Sequence, residues 1–343
     1  MRVFFSEEHR RHFPQAELHG GQFVTPFERP SRVEFILRRL AERGFDNIAA
    51  PEEFDPAPVA KIHDAGYLEF LATAWEKWTA AGYRGEIIPA CFPIRRMRNN
   101  RPPADIDGQA GYYAFAAETA ITAGTWAAAA SSCASAQSAA RHLSSGANAA
   151  FALCRPPGHH AGIDHFGGYC FLNNAAVAAQ VLLDGGAKRA AILDVDFHHG
   201  NGTQDIFYRR GDVFFASIHG RPEDAFPHFL GFVDEIGDGE GEGANLNLPL
   251  PPATGAPVWF SAFDQALAKI MEFGAEALVV SLGVDAFRDD PISFFKLASD
   301  DFTRCGARIA RAGLPTVFVL EGGYAVEAIG VNVVNTLEGF LGR

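Results

Sequence analysis

The chain is short of positive charge: 29 lysines and arginines face 41 aspartates and glutamates, a net charge of −12 over 343 residues. An acidic surface repels phosphate backbones and anionic lipid, which argues against nucleic acid and membrane surfaces and favours a cationic substrate or partner. No run approaches the ~20 apolar residues that span a bilayer. The opening MRVFFSEEHRRHF turns charged after four residues, so it lacks the apolar centre of a secretory leader. Paired cysteines are missing as well. Cys91, Cys133, Cys154, Cys170 and Cys305 are odd in number, scattered, and form no CxxC. That predicts reduced thiols in a cytoplasmic protein and argues against a thiolate zinc site. No internal repeat or low-complexity linker divides the chain, which is therefore read as one domain, 1–343.

What is present is apolar bulk, 48% hydrophobic and 12% aromatic residues, enough for a sizeable core. Short apolar runs end in polar or glycine-rich turns: AAFALC before RPPGHH, RAAILDVDF before HHGNG, DVFFASIHG, EALVVSLGVD before AFRDDP, and PTVFVLEGGY. Helical stretches lie between them, NNAAVAAQVLLDGGAK, WFSAFDQALAKIMEFGA and DFTRCGARIARAG, the last two closing at a glycine. The alanine-rich AAAASSCASAQSAARHL reads as a buried helix. Strands alternating with helices imply a parallel α/β sheet covered on both faces, a three-layer α/β/α arrangement. Ligands of such sheets gather beyond the carboxyl ends of the strands, and the charged clusters fall there. One segment breaks the pattern. Tyr83–Gly108 holds four prolines and five arginines with little periodicity, and a loop of that length reads as an ordered lid or subunit contact, with disorder as the alternative.

DVDFHHGNG, Asp194 to Gly202, places two carboxylates and two imidazoles within six residues, a cluster costly to bury without compensation. On an extended strand Asp194, Asp196 and His198 share one face, and residues i and i+2 sit roughly 6–7 Å apart, a span one metal ion bridges. Asp285, after ALVVSLGV, is the best third ligand. Asp289 and Asp290 are weaker candidates, because they lie beyond the strand in a turn beside Pro291. Three protein ligands plus water make the open, catalytic form of a zinc site; the plain alternative is a hydrogen-bonded polar cluster. CRPPGHH sets His159 and His160 on a rigid turn, where a neutral imidazole can accept a proton and a charged one can protonate a leaving amine. Asp194 and Asn201 are the available orienting partners, one anionic and one neutral. Either histidine fits either role. In EGGY two glycines let the backbone approach a ligand closely and place Tyr324, whose phenol can polarise a carbonyl.

RPPGHH, DVDFHHGNGTQ, SLGVD and EGGY, in this order, resemble the zinc-dependent deacetylase family of the arginase/deacetylase fold, from KIHDAGYLEFL to the C-terminus. GGYCFLNNAAVAAQ, DAFPHFLGF, DPISFFKL and the proline-rich insertion are most similar to the bacterial acetylpolyamine amidohydrolases. The resemblance implies a mainly parallel sheet of roughly eight strands, with the insertion at about 83–108. It implies zinc on Asp196, His198 and Asp285, acid/base work by His159 and His160 backed by Asp194 and Asn201, and carbonyl polarisation by Tyr324. Tyr169 and Phe226 correspond to tunnel walls and Glu118 to a carboxylate at the mouth. Asp107 stands where polyamine enzymes carry a second acidic residue. Asp194, Asp196, His198, Ser217 and Ile218 correspond to a structural potassium site.

The expected activity is release of acetate from an N-acetylated cationic amine such as acetylputrescine or acetylcadaverine, in a homodimer joined through the insertion. Its rivals are a protein-lysine deacetylase using the same catalytic residues, a two-manganese ureohydrolase, and an inactive binding module. Iron or cobalt also suits an Asp₂His site.

Overall fold

The computed structural model describes all residues except Arg95 and Met97. Its strands are β1 (Arg2–Phe4), β2 (Glu17–His19), β3 (Gln22–Val24), β4 (Ile48–Ala49), β5 (Ala149–Ala152), β6 (Ala190–Asp194), β7 (Val213–Gly220), β8 (Asn245–Leu250), β9 (Ala277–Leu282) and β10 (Thr316–Leu320). Eight form one sheet in the order β4-β1-β5-β10-β9-β6-β7-β8, each pairing parallel. The other two, β2 and β3, make a separate antiparallel hairpin. The expected three-layer α/β architecture is therefore the observed one.

The helices are α1 (Ser31–Glu42), α2 (Pro56–Val59), α3 (Ala65–Ala80), α4 (Ile106–Tyr112), α5 (Thr125–Ser144), α6 (Asn174–Asp184), α7 (Asn201–Phe207), α8 (Ala256–Phe273), α9 (Ser299–Arg311) and α10 (Val326–Leu341). Side-chain alternation sorts the strand residues onto two faces. Ala190, Ile192, Val279, Val317 and Val319 pack with residues of α3, α5 and α6. Ala191, Leu193, Val280, Phe318 and Leu320 pack with α1, α8, α9 and α10. Burial on both faces explains why these strands read as unbroken apolar runs.

Boundaries follow local chemistry. Asn173 caps α6 by accepting from Ala176 N, so that helix starts one residue inside NNAAVAAQ. Gly274, in the left-handed region, ends α8. Two expectations need correcting. Strand β6 stops at Asp194, not Phe197. The insertion is shorter at its C-terminal end, because Asp105 caps α4 through Asp107 N, which puts Ile106, Asp107 and Gly108 in a helical turn. Upstream, Ile87 is buried and bridges Ile121, whereas Phe92 and Ile94 are exposed. Arg95 and Met97 of the basic run lie outside the described residues. Among the described residues, no helix is long and apolar enough to cross a membrane.

Candidate active site and metal centre

Four neighbouring strands, β5, β10, β9 and β6, occupy the middle of the sheet. Their carboxyl ends lead into CRPPGHH, EGGY, GVD and VDFHHG respectively. Motifs far apart in sequence thus meet at one edge because their strands are adjacent.

Asp196, His198 and Asp285 converge there, fully or almost fully buried, each with a ligand atom within 4.8 Å of the others. His198 Nδ1 lies 2.9 Å from Asp285 Oδ2 and 3.2 Å from Asp196 Oδ1. The cause of the i, i+2 convergence differs from strand alternation. Asp194 Oδ1 accepts from Asp196 N at 3.1 Å, and Asp196 Oδ1 accepts from His198 N at 2.9 Å. These are successive turns in which an aspartate caps the amide two residues on.

Across the site, Phe197 N donates to Asp285 Oδ1 and Gly322 N to Asp196 Oδ2, both at 2.7 Å. Two glycines make room for the carboxylates. A Cβ on Gly283 would lie 2.0 Å from Asp196 Oδ2, and one on Gly322 would lie 2.5 Å from that oxygen and 2.6 Å from Asp285 Oδ2.

The electrostatics show what such a cluster needs. Burial opposes the His198 charge, yet Asp196 and Asp285 push its pKa up to about 10. Burial and the Asp196 charge raise Asp285 to about 8. Asp196 is held below the usual carboxylate range, since His159 and His198 outweigh its burial. Ionisable groups buried this close need their charges compensated by protons or by a cation. The oxygen and nitrogen donors suit a divalent cation, which would replace those protons.

His159 Nδ1 pairs with Asp194 Oδ2 at 2.9 Å and His160 Nδ1 with Asn201 Oδ1 at 2.6 Å. The rings are 4.0 Å apart. Burial opposes charge on both. For His159 the Asp194 and Asp196 charges win and raise it to about 10. His160 falls well below its ordinary value, from burial and then the neighbouring His159 and His198 charges. Glu321 fixes the turn beneath them, its Oε2 accepting from Gly158 N at 2.6 Å and His159 N at 3.1 Å. His159, Cys170 and Glu321 also bring ligand-type atoms together. Glu321 is occupied with that turn, however, and burial raises the Cys170 thiol well above its ordinary value, so the group reads as a structural latch.

Tyr324 is held through the backbone just before it. Arg32, fully buried on α1, donates to Gly323 O at 2.7 Å and Glu321 O at 2.5 Å, and its guanidinium carbon sits 5.0 Å from the Tyr324 ring centroid. Glu28 Oε1 accepts from both Arg32 and Arg155, at 3.0 and 2.8 Å. Removing one partner from such a buried group costs on the order of 3–5 kcal/mol.

A cavity of about 330 Å³ opens onto the site, lined in part by Tyr169, Phe226, Glu118, His160, His198 and Tyr324. Tyr169 stands 5.6 Å from the Tyr324 ring, and Phe226 packs edge-on to His160 at 5.2 Å. Glu118 is tied down rather than free, its Oε1 accepting from Gly168 N at 2.7 Å. Asp107 does not line the cavity. Asp289 and Asp290 stand apart from the metal-type cluster. Sequence reasoning missed Glu17, buried on β2, which accepts from Tyr169 Oη at 3.0 Å and lines the cavity. It also missed Arg32, whose one signal was a basic residue on the apolar face of α1.

Residues 26–340 match the histone deacetylase domain family. The chain is 60% identical over 342 residues to an acetylpolyamine amidohydrolase of Mycoplana ramosa, covering 100% of both. It is 54% identical over 339 residues to acetylpolyamine amidohydrolase 1 of Pseudomonas aeruginosa, covering 98% of each. The crystal structure of an acetylpolyamine aminohydrolase from Burkholderia pseudomallei aligns with a TM-score of 0.94 at 40% identity, over 99% of this chain and 98% of that one.

Proposed function

Because the chain belongs to the histone deacetylase domain family, we propose that it is a zinc-dependent amidohydrolase that releases acetate from N-acetylated polyamines or diamines. We read residues 1–343 as one catalytic domain with the insertion as its accessory. The observation that carries the substrate class is the cavity itself. Its lining includes His198 and Tyr324 as well as Glu17 and Glu118, so an acetyl group held at His198 and Tyr324 would share the cavity with carboxylates that suit a distal ammonium.

Asp196, His198 and Asp285 would hold the zinc, which when bound supplies Lewis acidity to a carbonyl and lowers the pKa of water. Tyr324 donates its phenol hydrogen to the amide oxygen as negative charge develops there. His160, kept neutral beside Asn201, takes the proton of the attacking water. His159, backed by Asp194, stands next to it, and the departing amine is protonated from this pair. Tyr169 and Phe226 would flank the methylene chain of the amine. We further assign structural potassium to Asp194, Ser217 and Ile218 together with the backbone at Asp196 and His198. Supporting this, Asp194 and Ser217 are register partners on β6 and β7, and both are fully buried.

The assembly reading is a homodimer through the insertion. Exposed Phe92 and Ile94 lie on it, and Phe229 and Val233 are exposed elsewhere. A cavity of about 370 Å³ lined by Pro93, Asn99, Phe229 and Leu230 joins the two segments. Five free cysteines support a cytoplasmic location. Steady-state kinetics on acetylputrescine, acetylcadaverine, acetylspermidine and an acetyl-lysine peptide tests the substrate class. Higher kcat/KM on the peptide than on every small amine would overturn it.

A further inference from the structure

Asp290 is 6% exposed, and its carboxylate is spent on backbone amides. Oδ2 accepts from Tyr324 N at 2.7 Å and Ala325 N at 3.1 Å, while Oδ1 accepts from Ile292 N at 3.2 Å. Tyr324 follows two glycines that offer no side chain to pack. Gly322 is bound to lack a Cβ by the carboxylates beside it, and Gly323 has a φ of 131°. Hydrogen bonds to charged groups supply the backbone constraint that the two glycines cannot. Arg32 holds the carbonyls before the tyrosine, and Asp290 holds the amides at it and after it. The same carboxylate fixes Ile292, a residue of the cavity wall.

We infer that Asp290 is a positioning residue: it sets the Tyr324 phenol relative to the Asp196–His198–Asp285 cluster and to the tunnel wall at Ile292. The inference rests on the reading of Tyr324 as the group that polarises the substrate carbonyl. Its physical content is preorganisation, since a displacement of about 1 Å at a reacting group costs on the order of 10²-fold in rate. A carboxylate suits the task because one oxygen can accept from two successive amides, and charged acceptors make the stronger hydrogen bonds.

The test places Asp290→Ala and Asp290→Asn in the wild-type and Tyr324→Phe backgrounds, measuring kcat, KM and zinc per chain. In the wild-type background Asp290→Ala lowers kcat by about 10–10²-fold with little change in KM, and zinc content is kept. Asp290→Asn, which retains one acceptor oxygen, recovers part of the loss. In the Tyr324→Phe background neither substitution costs more than about threefold, because the group being positioned is already gone. Equal losses in both backgrounds, or loss of zinc, would overturn the inference. A Tyr324→Phe enzyme as fast as wild type would refute the role of the tyrosine instead, so the two failures are told apart. Should Asp290→Ala fail to fold, Asp290→Asn carries the same comparison.

Discussion

His198 and Asp285, 87 residues apart in the chain, bring Nδ1 and Oδ2 to 2.9 Å of each other at the end of two adjacent strands. That contact brings the β6 and β9 loops into one candidate ligand set. Asp285→Ala is expected to abolish zinc binding and activity while leaving a folded protein, checked by elemental analysis and circular dichroism. Gly322→Ala should also lose metal, since its new methyl group would lie 2.5 Å from Asp196 Oδ2. Full activity in a metal-stripped sample would refute the assignment.

Tyr324→Phe should leave KM largely unchanged and slow turnover by roughly 10²–10³-fold, the usual cost of one lost oxyanion donor. Turnover within threefold of wild type counts against the role.

His159→Ala and His160→Ala should each slow turnover by about 10²–10⁴-fold. Their rings are 4.0 Å apart and backed by different partners, so they should act as a unit. The double mutant is then far less impaired than the product of the singles, and strictly multiplicative losses would show independent roles.

Glu17 supplies a pH signature. Burial pushes its carboxyl up to about 7, against hydrogen bonds from Phe27 N–H and Tyr169 O–H. A raised acid favours its protonated form when folded. Its stabilising contribution is therefore full below the carboxyl's ordinary pKa and is lost as pH rises through about 7. As the charge appears, a cationic substrate is held better. KM for an acetylated diamine should fall between about pH 6 and pH 8, and fall less in Glu17→Gln. Identical pH profiles for the two enzymes would remove Glu17 from substrate recognition.

Deleting residues 86–101 should yield monomers by light scattering and weaken selectivity for small amines over acetyl-lysine peptides. A dimer with unchanged selectivity would leave the insertion without that role.

The sheet was legible because its central strands are buried on both faces and so appear as continuous apolar runs, each followed by its cluster. What stayed hidden has a common cause. Asp290, in RDDP, looks like an ordinary turn residue because its partners are backbone amides, which carry no residue-type signature. Arg32 likewise grips carbonyls. Glu17 reaches the cavity from a three-residue strand of a hairpin outside the main sheet. The extent of β6 was misjudged because DVDF keeps a strand-like alternation, while the aspartates turn the chain by capping amides two residues ahead.

The order of strands in the sheet also bears on how the protein comes off the ribosome. β10, the last strand synthesised, sits between β5 and β9 rather than at an edge. Until it emerges, the β5 and β9 loops have no shared scaffold. The amide of Gly322, which steadies Asp196, is also still unmade. The ligand-type residues that follow the adjacent β6 and β9 can therefore gather first, whereas Tyr324 and the Gly322 amide join them only once β10 has inserted. Ribosome-stalled chains lacking β10 should show no turnover, however completely their earlier strands have folded.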